Sequence, residues 1–334
     1  MASLRYIPLR SYPGTALPEF PTYSFAVAVQ AALQQEVLSW KARPAGAARG
    51  PAPPPTVLCF TPAPTYTLGR RQTEPLSGGE LARLRSPLFV PTWGAGRGGP
   101  DDVAGRRPKR AFLLPEVVRA PRGGLTTYHG PGQLVIWPVL DLRSPLHAHL
   151  SVRDYACLLE KTTIAVLELW GIRGFTTDNP GVWVRSREGA GGSGGAGAGV
   201  GGGERKIAAL GVHLRRHVTG LGVAINYSTP VTGPAETNPW ARIVACGLGD
   251  RGVTSVRAEM GIDSDAHPDD AGRSLEGLAK VWQSEFHRRL EMNENPPNGA
   301  TGFDIGQSAR KLAAQFPGGG DSAVKARPIS DLEA

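Results

Sequence analysis

The run Gly189–Gly203 is almost entirely Gly, Ala and Ser, and it limits the possible folds more than any other segment. A stretch with so little side chain and so much backbone freedom cannot contribute to a core. The fold must therefore be assembled from the periodic blocks on either side. Two further segments act in the same way: Ala42–Pro55, rich in Ala, Gly and Pro, and Trp93–Arg110, rich in Gly and charge with no periodicity. They hold much of the excess of Gly (44) and Pro (30) among the 334 residues, and what is left suffices for one sizeable buried core. Residues 1–292 thus read as a single domain with Gly-rich insertions near 94–110 and 187–203. The polar, Gly-rich stretch 293–334 reads as a loosely ordered tail.

In Tyr23–Trp40, Ala, Val and Leu recur between Gln and Glu at helical spacing, which predicts an amphipathic helix. Thr56–Phe60 predicts a buried strand, stopped by Pro62 and Pro64, and Gly132–Leu140 a second, strongly apolar one. Ser151 followed by Asp154 has the spacing of a capping box and opens a helix. Its core stripe is Val152, Tyr155, Ala156, Leu159, Val166, Leu167 and Trp170, and Gly171 ends it. Gly181–Arg185 is a short strand, and Lys206–Leu214 with Val218–Asn226 form a hairpin. Ser274–Leu290 is a second amphipathic helix with Leu278, Val281, Trp282 and Leu290 on one side. Strands and helices alternate without a regular βαβ repeat, so the expected class is α+β, a mixed β-sheet flanked by helices.

The formal charge of +8 suits anionic or acidic partners. Basic residues are not interleaved with aromatics and no zinc-finger or RNA-binding signature occurs, which argues against nucleic acid. The densest basic run, Arg106, Arg107, Lys109 and Arg110, lies among Gly and Asp and reads as a solvated loop. The three cysteines, Cys59, Cys157 and Cys246, are odd in number and widely spaced, which speaks against a disulfide scaffold and for a reducing compartment. No apolar run is long enough to span a bilayer. The N-terminus lacks a secretory core; Arg5, Arg10, Ser3 and Ser11 with no acid before Glu19 fit a mitochondrial presequence, with a cytoplasmic start as the alternative.

Three features carry possible chemistry. In Arg122-Gly123-Gly124-Leu125-Thr126-Thr127-Tyr128-His129-Gly-Pro-Gly-Gln133, tandem glycines allow close backbone approach to a ligand and a compact polar set stands beside Arg122. By itself the segment says binding loop, or an ordinary turn before a strand. Cys246 ends an apolar run directly before Gly247, which would leave the sulfur unobstructed and an amide hydrogen available to an oxyanion. By residue type alone a lone cysteine is a small buried hydrophobe; Cys59 and Cys157 fit that description and Cys246 fits it least. Lys206 enters an apolar strand, a place where a surface lysine is the default. Beside a cysteine, its ammonium would favour the thiolate.

Taken in order, Arg122-Gly-Gly-x4-His129-Gly-Pro-Gly-Gln, Pro180-Gly-Val-Trp183, Lys206-Ile-Ala-Ala-Leu-Gly211, Cys246-Gly-x-x-Asp250 and Val253-Thr-Ser255 resemble the lipoyl (octanoyl) transferases, with Thr65-Tyr-Thr-Leu-Gly-Arg70 in support. The resemblance implies the biotin/lipoate protein ligase catalytic fold, catalysis by Cys246 and Lys206, and no cofactor or metal. It also implies acyl-binding segments at Arg122–His129, at Ala209, Leu210 and Gly211, and at Gly222, Val223 and Ala224. The implied donor is octanoyl-acyl carrier protein. The implied acceptors are lipoyl domains of 2-oxoacid dehydrogenase E2 subunits and the glycine cleavage H protein. A monomer is the default expectation, and the N-terminal features with the insertions point to the mitochondrial matrix, with the cytoplasm as the alternative. The family has a histidine where this chain has Leu221. An ATP-dependent lipoate-protein ligase is the rival expectation; it would need phosphate cradling, and no G-x-x-x-x-G-K-[ST] run is present.

Overall fold

The computed structural model describes residues 4–9, 20–46, 49–92, 109–185, 203–243, 251–262 and 274–290. The insertions expected at 94–110 and 187–203 lie outside them except at their edges, as does the 293–334 tail.

The central sheet has seven strands. Strand β1 (Arg5–Pro8) lies parallel to β2 (Thr56–Phe60), which pairs antiparallel with β8 (Gln133–Val139). Beyond β8 come β11 (Val218–Asn226) and β10 (Glu204–Arg215), joined by a hairpin turn in which Arg216 and His217 have φ of 51° and 68°. Strand β10 carries two partners on its outer side, antiparallel β9 (Gly181–Arg185) and parallel β12 (Gly252–Val253). Helices cover both faces, so β2, β8 and β11 are buried throughout and read as largely apolar runs. Helix α1 (Tyr23–Ala42) lies on one face, over Leu58, Phe60, Val135 and Trp137. Helices α3 (Val152–Glu168) and α5 (Leu275–Arg289) cover the other, over Val57, Cys59, Leu134, Ile136, Val223 and Ile225. The period of two along β2 and β8 assigns alternate residues to the two cores.

Along β11 that parity breaks at Leu221. Val223 and Ile225 face α3 and α5, yet Leu221 packs with Ala224 in the α1 core. Leu221 has φ of 60°, the left-handed region, and this turns its side chain to the other face.

A smaller sheet sits beside the α1 face. Strand β3 (Thr65–Leu68) pairs parallel with β6 (Glu116–Arg119) and antiparallel with β7 (Thr126–His129). Near it are helix α2 (Gly78–Arg85), capped by Ser77 and Glu80, and the hairpin β4 (Leu88–Thr92) with β5 (Lys109–Leu113). Tyr66, Leu84, Leu88, Leu113 and Tyr128 share a core there. A short helix α4 (Val256–Met260) follows β12.

The α+β class with a mixed sheet and flanking helices is as expected, and the capping box of Ser151 with Asp154 is present. Several expectations need correction. Lys109 and Arg110 begin β5 rather than ending a loop. Val152 is 49% exposed instead of lying in the core stripe, because the first turn of α3 overhangs solvent. Cys157 is only half-buried. Thr126–His129, read as loop, is a strand whose four residues are all buried.

Candidate active site

A cavity of about 250 Å³ opens between the α1 face of the central sheet and β7. Its wall is built from β10 and β11, through Ala209, Leu210 and Gly211 on one strand and Gly222, Val223 and Ala224 on the other. These segments pair in register, Gly211 opposite Gly222. Both glycines are required by space. A Cβ at Gly222 would stand 2.3 Å from the Ile136 carbonyl oxygen, and one at Gly211 would stand 2.9 Å from Cδ of Arg122. Tyr23 of α1, Trp137 of β8 and Leu221 add apolar surface.

Of the Arg122–His129 segment, Arg122, Gly123, Gly124, Thr127 and His129 line the cavity, while Leu125, Thr126 and Tyr128 do not. Strand alternation explains the division: Thr127 and His129 share one face of β7, and Tyr128 turns to Tyr66 and Trp240 in the neighbouring core. Arg122 is buried and serves mainly as a clasp. Its Nη1 donates to the carbonyls of Gly123 (2.9 Å) and Leu125 (2.8 Å), and Nη2 to the carbonyl (2.6 Å) and hydroxyl (2.7 Å) of Thr67. The guanidinium thus ties the double-glycine turn to β3. Gly69 completes the fit, since a Cβ there would stand 2.4 Å from the Gly124 carbonyl oxygen.

His129 stacks on Tyr23 with centroids 5.6 Å apart. Its Nδ1 is 2.8 Å from Oε1 of Gln133, whose Nε2 donates to Asn226 Oδ1 at 2.9 Å; Asn226 Nδ2 in turn donates to the Thr254 carbonyl at 3.0 Å. The chain of amides makes Gln133 Oε1 the acceptor, so Nδ1 carries the proton. Burial brings the imidazole down to about 4, against the Gln133 hydrogen bond and with help from the Arg122 charge. It is therefore neutral at physiological pH. Burial likewise pushes the Tyr23 phenol up to about 12, which the Arg122 charge opposes.

Lys206 is 8% exposed and lines the cavity from β10. Its Nζ donates to the Pro180 carbonyl at 3.1 Å and lies 4.6 Å from the centre of the Trp183 ring. A bulge in the β9 pairing falls between Lys206 and Ala208 and re-aims this part of the strand. Gly181, at φ of 125°, brings the Pro180 carbonyl to the amine. Lys206 pairs in register with Val253, and the Thr254 amide donates to the Lys206 carbonyl at 3.0 Å. Cys246, Gly247 and Asp250 lie outside the described residues.

The sequence did not single out Tyr23, Arg71, Trp137, Asn179 or Val212 as cavity residues. Pro180 stands within a quoted motif, and Leu221 was noted as a departure from a family pattern. The others had no local signal, because only the strand order brings them together. Among the described residues no group of His, Cys, Asp and Glu could hold a metal ion, and no helix is long and apolar enough to cross a membrane.

Residues 115–274 match the lipoyl protein ligase A/B catalytic domain. The "Probable octanoyltransferase" of Schizosaccharomyces pombe is 33% identical over 214 residues, 64% of this chain and 71% of that protein. The mitochondrial octanoyl-[acyl-carrier-protein]:protein N-octanoyltransferase of Danio rerio is 31% identical over 240 residues, 72% of this chain and 81% of its own. The octanoyltransferase of Pseudarthrobacter chlorophenolicus is 35% identical over 193 residues, 58% of this chain and 73% of its own. Among solved structures, the bi-partite lipoate protein ligase of Thermoplasma acidophilum aligns over 95% of this chain and 92% of its own, at 12% identity and a TM-score of 0.49. The sequence relatives decide the matter: the chain belongs to the octanoyltransferase family.

Proposed function

We propose that this protein transfers an octanoyl group from acyl carrier protein to a lysine of lipoyl domains, through an acyl-enzyme on Cys246. The observation that carries the reading is the cavity itself. It is apolar along Tyr23, Trp137, Leu221 and Ala224, and Lys206 holds a buried amine at its wall. Each methylene placed there is worth about 0.8 kcal/mol, a factor of roughly four in affinity. Cys246 is only a few residues upstream of Val253, which pairs with Lys206, and each residue of chain reaches at most ~3.5 Å. That short tether supports a Cys246–Lys206 pair.

In the proposed sequence the Cys246 thiol gives its proton to Lys206, and the thiolate attacks the octanoyl thioester carbonyl. The carbon–sulfur bond to the carrier breaks, and the leaving thiolate takes the proton back from Lys206. The amine of an acceptor lysine then attacks the acyl-enzyme. The amide forms, the bond to Cys246 breaks, and the proton lost by the amine passes through Lys206 to the cysteine sulfur. No ATP is consumed, because thioester exchange is nearly balanced and the amide is the more stable product. Backbone amides around the cysteine and along β10 and β11 are the candidate oxyanion donors, each worth about 3–4 kcal/mol of barrier. The net charge of +8 suits an acidic carrier and acidic acceptor domains, namely those of 2-oxoacid dehydrogenase E2 subunits and the glycine cleavage H protein.

The relatives above 30% identity carry transferase names, so the ATP-dependent ligase is not favoured. Relatives from Danio rerio and Xenopus tropicalis carry mitochondrial names, which supports the mitochondrial matrix; bacterial relatives leave a cytoplasmic setting as the alternative. Incubation with octanoyl-acyl carrier protein should add one octanoyl mass to the intact protein, and Cys246→Ser should abolish both the adduct and transfer. Near-normal transfer by that variant would refute the acyl-enzyme.

A further inference from the structure

The peptide unit joining Pro180 to Gly181 is held at both ends. Its carbonyl accepts from Lys206 Nζ at 3.1 Å, and its N–H donates to Oε1 of Glu160 at 2.9 Å. Two oppositely charged side chains thus meet through a single amide plane. A carboxylate on the N–H end polarises the amide and makes its carbonyl a stronger acceptor. The plane depends on Gly181: its φ is 125°, and a Cβ there would stand 2.5 Å from the Ala208 carbonyl oxygen and 3.5 Å from Cε of Lys206. Glu160 projects from α3 and is half-buried, which an unpaired carboxylate on a helix facing a core would not favour. Burial raises its carboxyl, and the Gly181 N–H and the Lys206 charge draw it back.

We infer that Glu160 is a positioning residue for the transfer reaction, aiming the Lys206 amine through the Pro180–Gly181 peptide. Its negative charge also favours the ammonium form of Lys206. The inference rests on the reading of Lys206 as the proton carrier. Other charged groups among the described residues lie near the pair. Across the cavity Lys206 shares its walls with Arg71, Arg122 and neutral His129. Arg251 lies over the same Trp183 ring at 5.2 Å and is ion-paired with Glu204, and Arg205 with Glu259. Arg185 of β9 lies over Phe175. Helix α5, packed on α3, carries its charges in pairs of its own, Glu276 with Lys280 and Glu285 with Arg288 and Arg289. Lys206 is the charged side chain that acts on Glu160.

The test compares Glu160→Ala, Glu160→Gln and Lys206→Ala, with octanoyl-acyl carrier protein as donor and a lipoyl domain as acceptor, reading kcat and KM against pH alongside Tm. Glu160→Ala should lower kcat roughly tenfold with KM little changed, since a misaimed proton carrier costs rate and not binding. Glu160→Gln still offers an oxygen to the Gly181 N–H and should recover most of kcat. Without the negative charge, Lys206 gives up its proton more readily, so the acidic limb of kcat/KM, set by the free amine that accepts the thiol proton, should move to lower pH by roughly 0.5–1 pH unit. Wild-type kcat and an unmoved profile in both Glu160 variants, with Lys206→Ala inactive, would overturn this inference alone. So would a loss in Glu160→Ala that follows Tm and is not rescued by Gln. Near-normal transfer by Lys206→Ala would overturn the role of the amine, and this inference with it.

Discussion

Leu221 offers an unusual stability comparison, because its backbone and its side chain pull in opposite directions. The side chain is 4% exposed and packs with Tyr23 and Trp137. The backbone, at φ of 60°, sits where a Cβ costs roughly 1–2 kcal/mol. The Leu221 N–H donates to Gln30 Oε1 at 2.6 Å, and that bond from α1 holds the strained position in place. Truncation to Ala removes the buried isopropyl group and truncation to Gly the whole isobutyl side chain, each costing about 2–3 kcal/mol. Ala retains the left-handed strain and Gly does not. In an ordinary strand Gly is the worse of the two by roughly 0.5–1 kcal/mol. Here the order should invert, with Leu221→Gly more stable than Leu221→Ala by roughly 0.5–1 kcal/mol. Urea unfolding at neutral pH measures both, with Val223→Gly and Val223→Ala as the control pair on the same strand. Both Leu221 variants also lengthen the cavity, so the ratio of decanoyl to octanoyl transfer should rise on the order of tenfold, from two further methylenes accommodated. Leu221→Ala more stable than Leu221→Gly by the usual margin would refute the strain argument. An unchanged acyl preference in both would remove Leu221 from the acyl wall.

Two further outcomes follow from the geometry. His129 is neutral when folded, at about 4 against an ordinary 6.5. The unfolded chain therefore binds the proton first, and stability that is level above pH 6.5 should fall by roughly 3 kcal/mol as pH drops to 4. His129→Phe should flatten that part of the urea-unfolding profile, and an unaltered slope would contradict the assignment. Gly181→Ala forces a Cβ to within 2.5 Å of the Ala208 carbonyl oxygen. It should cost roughly 1–3 kcal/mol of stability and lower kcat by ten- to a hundredfold as the Pro180 carbonyl shifts; a variant with normal kcat would show that this carbonyl does not aim the amine.

The sequence made the central sheet legible where strands are buried on both faces, as in Thr56–Phe60 and Val218–Asn226, and made α3 legible through its capping box. The second sheet was hidden because its strands are short and threonine-rich. Thr65, Thr67, Thr126 and Thr127 are all buried, yet their hydroxyls and the glycines beside them read as a polar loop. Arg122 looked like a ligand for substrate because its four carbonyl and hydroxyl partners, on β3 and its own turn, are not marked by spacing. Lys206 was marked only by its motif. Glu160 reads as one more helix-surface acid, since its partner is a backbone N–H on a strand 21 residues away. The reversal of side-chain parity at Leu221 leaves no trace in the apolar pattern, because both faces of β11 are apolar.

The hydrogen bond from Leu221 to Gln30 joins residues 191 apart, and Gln34 reaches the Thr219 carbonyl across 185. During synthesis α1 is made long before β11 exists, so its glutamines lack these partners until 185 to 191 further residues have followed. The hollow is therefore complete only once β11 has been made and α1 docks on it. A nascent chain released before Asn226 would own the first helix and no place to put a fatty acid.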